Sequence, residues 1–247
     1  MTLAVSSLGR EALDAPGAHP ALVEATLRDI VRVNVVLGGR AAAAFGLDRL
    51  LDGVTPASQR TLLDVGAGSG DLARYLVERA ARRGVALAPL IVERHPVAAR
   101  LCRRAGLLAA VGDGGQLPLA DGSVDIVLAS QLLHHLERRS AVTLLRELNR
   151  VARLGVIVAD LRRHAVAAFG IWLASYPLGL HPVTRQDGVT SVRRGFTRAE
   201  LERLLCDAGV AGAVFRRPGY RLVAVWSNGP ERLEGPPEHP RSDRAHG

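Results

Sequence analysis

The tightest constraint on this chain is the segment Leu62-Leu63-Asp64-Val65-Gly66-Ala67-Gly68-Ser69-Gly70-Asp71, where an apolar run breaks into glycines at alternate positions and then resumes with helical spacing. Glycines belong where backbone turns tightly or lets a ligand come close, so the segment reads as strand, loop and helix. The unit recurs: residues 87–92 followed by 96–105 form a second, 107–111 a third strand, 124–130 a fourth with a helix over about 140–152, and 155–161 a fifth strand. The runs are continuously Val, Ile and Leu rather than alternating, which fits strands covered on both faces. An α/β fold with a parallel sheet between helices follows.

The flanks differ in kind. Residues 1–20 mix Ser, Gly, Asp and Pro without period and are expected to be loosely ordered. Residues 21–60 form an expected helical cap, with Leu22, Val23, Leu27, Ile30 and Val31 on one face, a second helix over 41–51, and Gly38-Gly39 at the joint. Residues 61–228 are the expected main domain, with an insertion at about 162–196. Within that insertion, 165–184 carries no charge apart from that available to His181, but Gly170, Pro177, Gly179 and Pro182 interrupt it, so a lid is expected rather than a membrane span. Thr197 and Glu200 make a capping box, Gly209 stops that helix, and 210–215 with 220–226 form an antiparallel pair turning at Pro218-Gly219. The tail 229–247, rich in Gly, Pro, Glu and Arg, is expected to be disordered.

Composition removes several classes of function. The 247 residues are 48% hydrophobic, enough for a sizeable core, and the two cysteines, Cys102 and Cys206, lie far apart with no CxxC or CxxH pattern, so no disulfide framework and no metal site is expected. The formal net charge of +8 comes from a chain with no lysine and arginines spread along its length, which reads as coding bias and not as a nucleic-acid footprint. The first twenty residues hold no unbroken apolar stretch. A cytoplasmic protein with no nucleic-acid partner and no transmembrane segment is expected.

The charges around the glycine loop choose its ligand. A dinucleotide fingerprint needs a third glycine where this chain has Asp71, and Asp64 and Asp71 would repel a pyrophosphate; a Walker loop needs a lysine. A cationic ligand fits better, and S-adenosylmethionine carries a sulfonium and an ammonium with no phosphate. Glu93 ends the second strand, where a carboxylate can accept from both ribose hydroxyls, and Asp113 follows the third, where it can accept from an adenine amino group. Together with Leu117-Pro118-Leu119, Val124-Asp125-Ile126-Val127 and Leu133-His134-His135-Leu136, this ordered set resembles the class I S-adenosylmethionine-dependent methyltransferases, in the small-molecule branch similar to the ubiquinone and menaquinone biosynthesis enzymes. The resemblance implies a Rossmann-like seven-stranded sheet, mostly parallel with an antiparallel final strand, and methyl transfer that yields S-adenosylhomocysteine. It implies a cofactor set of Asp64, Gly66, Ala67, Gly68, Gly70, Glu93, Arg94, Asp113, Gly114, Ser130 and Gln131. Arg153-Leu154-Gly155 stands where the family commonly has a proline-glycine turn before the fifth strand.

Methyl transfer is an in-line displacement, so positioning is the protein's main task; a phenol or alcohol also needs help to lose its proton. His134, placed like the base of plant-type phenol O-methyltransferases, is the first candidate, with packing and capping of the next helix as its plain alternative; His135 and His164 are further candidates. In the insertion, Phe169, Trp172 and Tyr176 share a helical face that either meets an apolar acceptor or packs on the core, while His181 and Arg194 complete the expected substrate set. The run Arg185-Gln186-Asp187-Gly188 reads as a solvated loop or an anion clamp. The expected function is O-methylation of a hydrophobic aromatic or polyketide-like small molecule in secondary metabolism. C-methylation of a quinol or phenol ring, a nucleic-acid methyltransferase, a non-transferring binder of the donor and an NAD enzyme stand as alternatives, and a homodimer is left open.

Overall fold

A computed structural model describes residues 19–52 and 59–228. The loose N-terminus expected over 1–20 lies almost wholly outside the described residues, as do 53–58 of the expected cap and the expected tail at 229–247. Seven strands, β1 (Gln59–Val65), β2 (Ala86–Glu93), β3 (Leu108–Val111), β4 (Val124–Ser130), β5 (Ala152–Leu161), β6 (Ala213–Arg217) and β7 (Arg221–Ser227), form one sheet in the order β3-β2-β1-β4-β5-β7-β6. Every pairing is parallel except those of β7, which runs antiparallel to both β5 and β6. Strand order reverses between β1 and β4, and that switch point opens a crevice at the carboxyl ends of the strands.

The two-sided burial follows residue by residue. In β4, β5 and β7, Val127, Ala129, Val156, Val158, Leu222 and Ala224 enter one core with α5 (Arg138–Val151) and α8 (Arg198–Ala208). Their alternates Ile126, Leu128, Ile157, Ala159, Val223 and Val225 enter the opposite core with α2 (Gly39–Leu51) and α3 (Asp71–Ala81). A third helix, α4 (Pro96–Arg104), packs with β2 and β3 through Cys102 on the α3 side. The Thr197–Glu200 capping box starts α8 as expected, and Gly209, left-handed at φ 75°, ends it.

Three elements arch over the crevice. The first helix, α1 (Pro20–Val36), crosses α2, and their turn docks on the β6–β7 hairpin at a glycine contact: a Cβ on Gly38 would sit 2.8 Å from Pro218 O, and one on Gly219 would strike Leu37 O. Next come α6 (Ala165–Ala174) and α7 (Pro182–Arg194), packed on Leu161 through Ala167, Ile171 and Val192, with Val33 and Leu37 of the α1 end against them. The Asp29 carboxylate accepts from the His181 backbone N–H at 2.8 Å and joins α1 to the start of α7. Among the described residues no single helix is long and apolar enough to cross a membrane.

Several boundaries depart from expectation. β5 starts at Ala152 straight out of α5, so Arg153-Leu154-Gly155 is strand and not a turn; Arg153 Nε donates to Asp125 on β4 at 3.1 Å. β6 begins at Ala213 rather than at 210, because Val210 leaves the strand to pack in the α8 core. The polar run from Arg185 to Gly188 lies inside α7, a helix begun by His181 and Pro182.

Candidate functional site

One cleft of about 1590 Å³ runs from the glycine loop beneath α1 to the α6–α7 arch. Its floor at the loop end is made of backbone. Gly66, Gly68 and Gly70 all have left-handed φ, at 72°, 59° and 71°. Gly66 N–H donates to Val92 O at 2.8 Å, Gly68 N–H to Glu93 Oε2 at 2.8 Å, and the Cys102 thiol to Gly68 O at 3.3 Å. Glu93 Oε1 also accepts from His95 N–H at 3.0 Å, so this carboxylate braces the loop from the neighbouring strand.

Asp64 is the anomaly of this half. It is 1% exposed, and neither carboxylate oxygen has a hydrogen-bond partner. Burial, with Asp71 and Glu93 nearby, pushes its carboxyl up to about 8. Unsatisfied buried acceptors in a ligand-sized cleft match a cationic donor group. Asp71 beside it is met by Arg40 at 3.4 Å. Asp113, past β3, accepts from Gly115 N–H at 2.9 Å, and Gly114 lies flat on the cleft wall, where a Cβ would come within 2.6 Å of Val65 Cγ1.

The other half is built on one buried pair. A short 3-10 turn, Leu133–His135, follows β4 and places His134 on the cleft wall at 3% exposure. His134 Nδ1 lies 2.7 Å from Asp160 Oδ1 at the end of β5. Asp160 also accepts from the backbone N–H of Leu133 and Leu161, at 2.9 and 2.7 Å. Burial works to raise the Asp160 carboxyl, but His134 and the Leu161 N–H outweigh it and hold the group below the usual carboxylate range. The hydrogen bonds therefore favour Nδ1–H as donor, leaving Nε2 as an acceptor. Beside the pair, Arg221 donates from Nη1 to Gln131 Oε1 at 2.9 Å and from Nε to Leu37 O at 3.1 Å, and Gln131 Nε2 donates to Asn34 Oδ1 at 2.5 Å. Gln131 holds φ 53°, unusual for a residue with a side chain. Burial pushes the Arg221 guanidinium down to about 10, against the opposing pull of Asp160.

Of the residues expected at the site, Asp64, Gly66, Ala67, Gly68, Glu93, Arg94, Asp113, Gly114, Ser130, Gln131, His134, His135 and Arg194 all line this one cleft. The rest lie outside its lining. Gly70 turns the chain into α3, where a Cβ would collide with Leu107, and does not reach the cleft. His164 and His181 point their Nδ1 atoms at helix starts, accepting from Val166 and Val183 N–H at 3.2 and 3.3 Å. Phe169, Trp172 and Tyr176 neither line the cleft nor pack on the core; they face outward, because α6 turns its Ala167 and Ile171 stripe inward. Asp160 and Arg221 escape the sequence reading. The signal for Asp160 was an acid closing the apolar run 156–161, a fourth carboxylate at a strand end.

Residues 63–159 match a family model described as a methyltransferase domain. The chain is 31% identical over 185 residues to an uncharacterized methyltransferase of Mycobacterium sp. (strain JLS), an alignment covering 74% of this chain and 67% of that protein. The chain belongs to the class I S-adenosylmethionine-dependent methyltransferases. This methyltransferase is also 35% identical over 167 residues to the malonyl-[acyl-carrier protein] O-methyltransferase of Geobacter sulfurreducens, covering 64% of this chain and 57% of that one. It is 36% identical over 108 residues to an uncharacterized methyltransferase of Mycobacterium bovis, 43% of either chain, so it spans about half the length of these curated relatives. A S-adenosylmethionine-dependent methyltransferase from Aquifex aeolicus shares the fold at TM-score 0.55 and 18% identity, over 87% of this chain and 99% of that one. The magnesium protoporphyrin IX methyltransferase of Synechocystis, solved with its methyl donor bound, does so at TM-score 0.51 and 12% identity, over 78% and 81%.

Proposed function

We propose that this methyltransferase transfers its methyl group to an oxygen of a hydrophobic acceptor, aromatic or polyketide-like, with His134 as general base and Asp160 as the residue that positions it. One observation carries the reading: His134 of the buried 2.7 Å His134–Asp160 pair lines a cleft to which Ile30, Val33, Ile171, Leu180 and Val192 contribute apolar surface. S-adenosylmethionine supplies an electrophilic methyl on a sulfonium. For that donor, Asp64 offers two unpartnered oxygens to an ammonium, Glu93 suits the ribose hydroxyls and Asp113 the adenine amino group. Gly66, Ala67, Gly68 and Gly114, which line the cleft, would give it backbone at close range, and Arg94, Ser130 and Gln131 would border it.

The chain's own work is then positional and protonic. Asp160 fixes the imidazole through Nδ1 and leaves Nε2 to take the acceptor's hydroxyl proton, a step worth about 10²- to 10⁴-fold for a phenol with a pKa near ~10. His135 and Arg194, which also line the cleft, suit a second oxygen of the acceptor. The α1 cap and the α6–α7 lid exclude water over it. The Geobacter relative is an O-methyltransferase by name, which supports this choice of atom.

The test is incubation with labelled methyl donor and a panel of phenols and quinols, with product analysis. Methyl ethers are expected, with kcat reduced about 100-fold or more in His134→Ala and S-adenosylhomocysteine affinity retained. Exclusively ring-methylated product would overturn the oxygen assignment. Donor binding without turnover on any acceptor, or full activity in His134→Ala, would overturn the base.

A further inference from the structure

The outer face of α6 is unlike the rest of the surface. The helix from Ala165 to Ala174 carries no charged residue, and only Ala167 and Ile171 are buried. Outward stand Val166, Phe169, Trp172, Leu173 and, one turn beyond, Tyr176, each between 42% and 61% exposed; no other stretch of the described residues exposes more than two large apolar side chains. The rings form a continuous strip, with Phe169 and Trp172 centroids 5.8 Å apart and Trp172 and Tyr176 5.3 Å apart. Arg185 lies 3.9 Å over the Tyr176 ring. Across 162–194 the sequence holds five arginines against the single aspartate Asp187; Arg163 is paired with Glu200 and Arg194 is buried, so the cation set directly beside the strip is Arg185.

We propose that this face docks on a lipid bilayer bearing anionic headgroups, with α6 lying in the interface plane. A helix of 10 residues is about 15 Å long, half of the ~30 Å needed to span, so it lies on a membrane or not at all. Aromatic rings at headgroup depth with cations beside them are the interfacial pattern. A second copy fits worse, because a twofold contact through this face brings Arg185 of both copies into one seam. A rigid protein partner also fits worse: the strip offers apolar surface on the order of 500 Å², short of the ~800 Å² each side gives up in a standard complex. A deformable anionic surface accepts a small apolar strip flanked by a cation. The same helix lines the cleft with Ala167, Gly170 and Ile171, so docking places the acceptor half against the bilayer. Delivery of an apolar acceptor from lipid rests on the function proposed above; docking itself does not.

The experiment uses the full chain and no acceptor. Co-sedimentation is measured on phosphatidylcholine vesicles with and without one-third phosphatidylglycerol, alongside tryptophan emission. The chain has two tryptophans, and Trp226 is 2% exposed and donates to Asn149 Oδ1 at 2.8 Å, so a blue shift reports Trp172. Binding to the anionic vesicles with a blue shift is expected, weakened about tenfold or more in Phe169→Ser/Tyr176→Ser, weakened also in Arg185→Glu, and screened by high salt. S-adenosylhomocysteine affinity, unchanged in both variants, certifies the fold. No sedimentation on anionic vesicles, or binding indifferent to these substitutions, overturns the proposal. So does a dimer in light scattering that Phe169→Ser/Tyr176→Ser dissolves, or capture of an acidic carrier protein with no vesicle binding. Because no turnover is read, failure here leaves the His134 assignment standing, and failure of that assignment leaves docking standing.

Discussion

The two halves of the cleft are built by opposite means. The loop half is made by backbone: glycines in left-handed conformations, strand ends in register, and acids buried beneath them. The arch half is made by side chains on three helices that touch the sheet edge through a few apolar contacts and the chain from Asn34 to Arg221. A ligand common to a whole family suits a site whose shape cannot change without breaking the fold. An acceptor that differs between relatives suits walls that tolerate exchange.

The largest effect that tests this division falls at the junction. Replacing His134 by Ala should lower kcat by about 10²- to 10⁴-fold with donor affinity unchanged, and Asp160→Asn should fall between that variant and wild type. Isothermal titration with S-adenosylhomocysteine beside initial rates separates the two effects; equal losses in affinity and rate would erase the boundary. Next comes Gly70→Val, which places a branched side chain at φ 71° against Leu107 and should cost about 2–4 kcal/mol in a denaturant melt.

Asp64 offers a pH test of the loop half. With its carboxyl raised to about 8 by burial and by Asp71 and Glu93, the ligand-free fold prefers it protonated. That contribution to stability is complete below the group's unfolded value near ~4 and is lost as pH rises through about 8. Asp64→Asn should therefore gain thermal stability over wild type between pH 5 and 8, by roughly 4 °C or more at the upper end. Binding an ammonium at Asp64 should release a proton, so wild-type affinity for S-adenosylhomocysteine should climb toward pH 8 and calorimetric heats should depend on buffer ionisation at pH 7. A flat profile would remove Asp64 from the donor site. The smallest effect belongs to the arch: Gly170→Ala meets nothing within 4 Å and lies in mid-helix, so it should stabilise by about 0.5–1 kcal/mol.

How legible each half was in the sequence follows from the same contrast. Strands buried on both faces write themselves as unbroken Val, Ile and Leu, and a left-handed loop writes itself as glycine, so β1, β2, β4 and the loop at Gly66–Gly70 were plain. The pairing of His134 with Asp160 spans 26 residues and depends on β4 and β5 being neighbours, which no local pattern states. Arg221 needs three separate segments to come together before its environment exists. For α6, three- and four-residue spacing groups Phe169, Trp172 and Tyr176 but is silent on which face of the helix meets the sheet. His164 and His181 are decided by the residue two places on, since an imidazole before a helix start finds an N–H to accept from; His19 and His95 do the same for α1 and α4, each with proline next in the chain.

Arg221 closes a chain of hydrogen bonds that ties α1 to the sheet edge while its own charge sits nearly out of reach of solvent. Lifting the helix would break those bonds, yet it would also hydrate a guanidinium that its dry surroundings disfavour, and the two free energies oppose each other. The hydrogen bonds that fasten the helix are therefore partly offset by the burial of the charge that makes them.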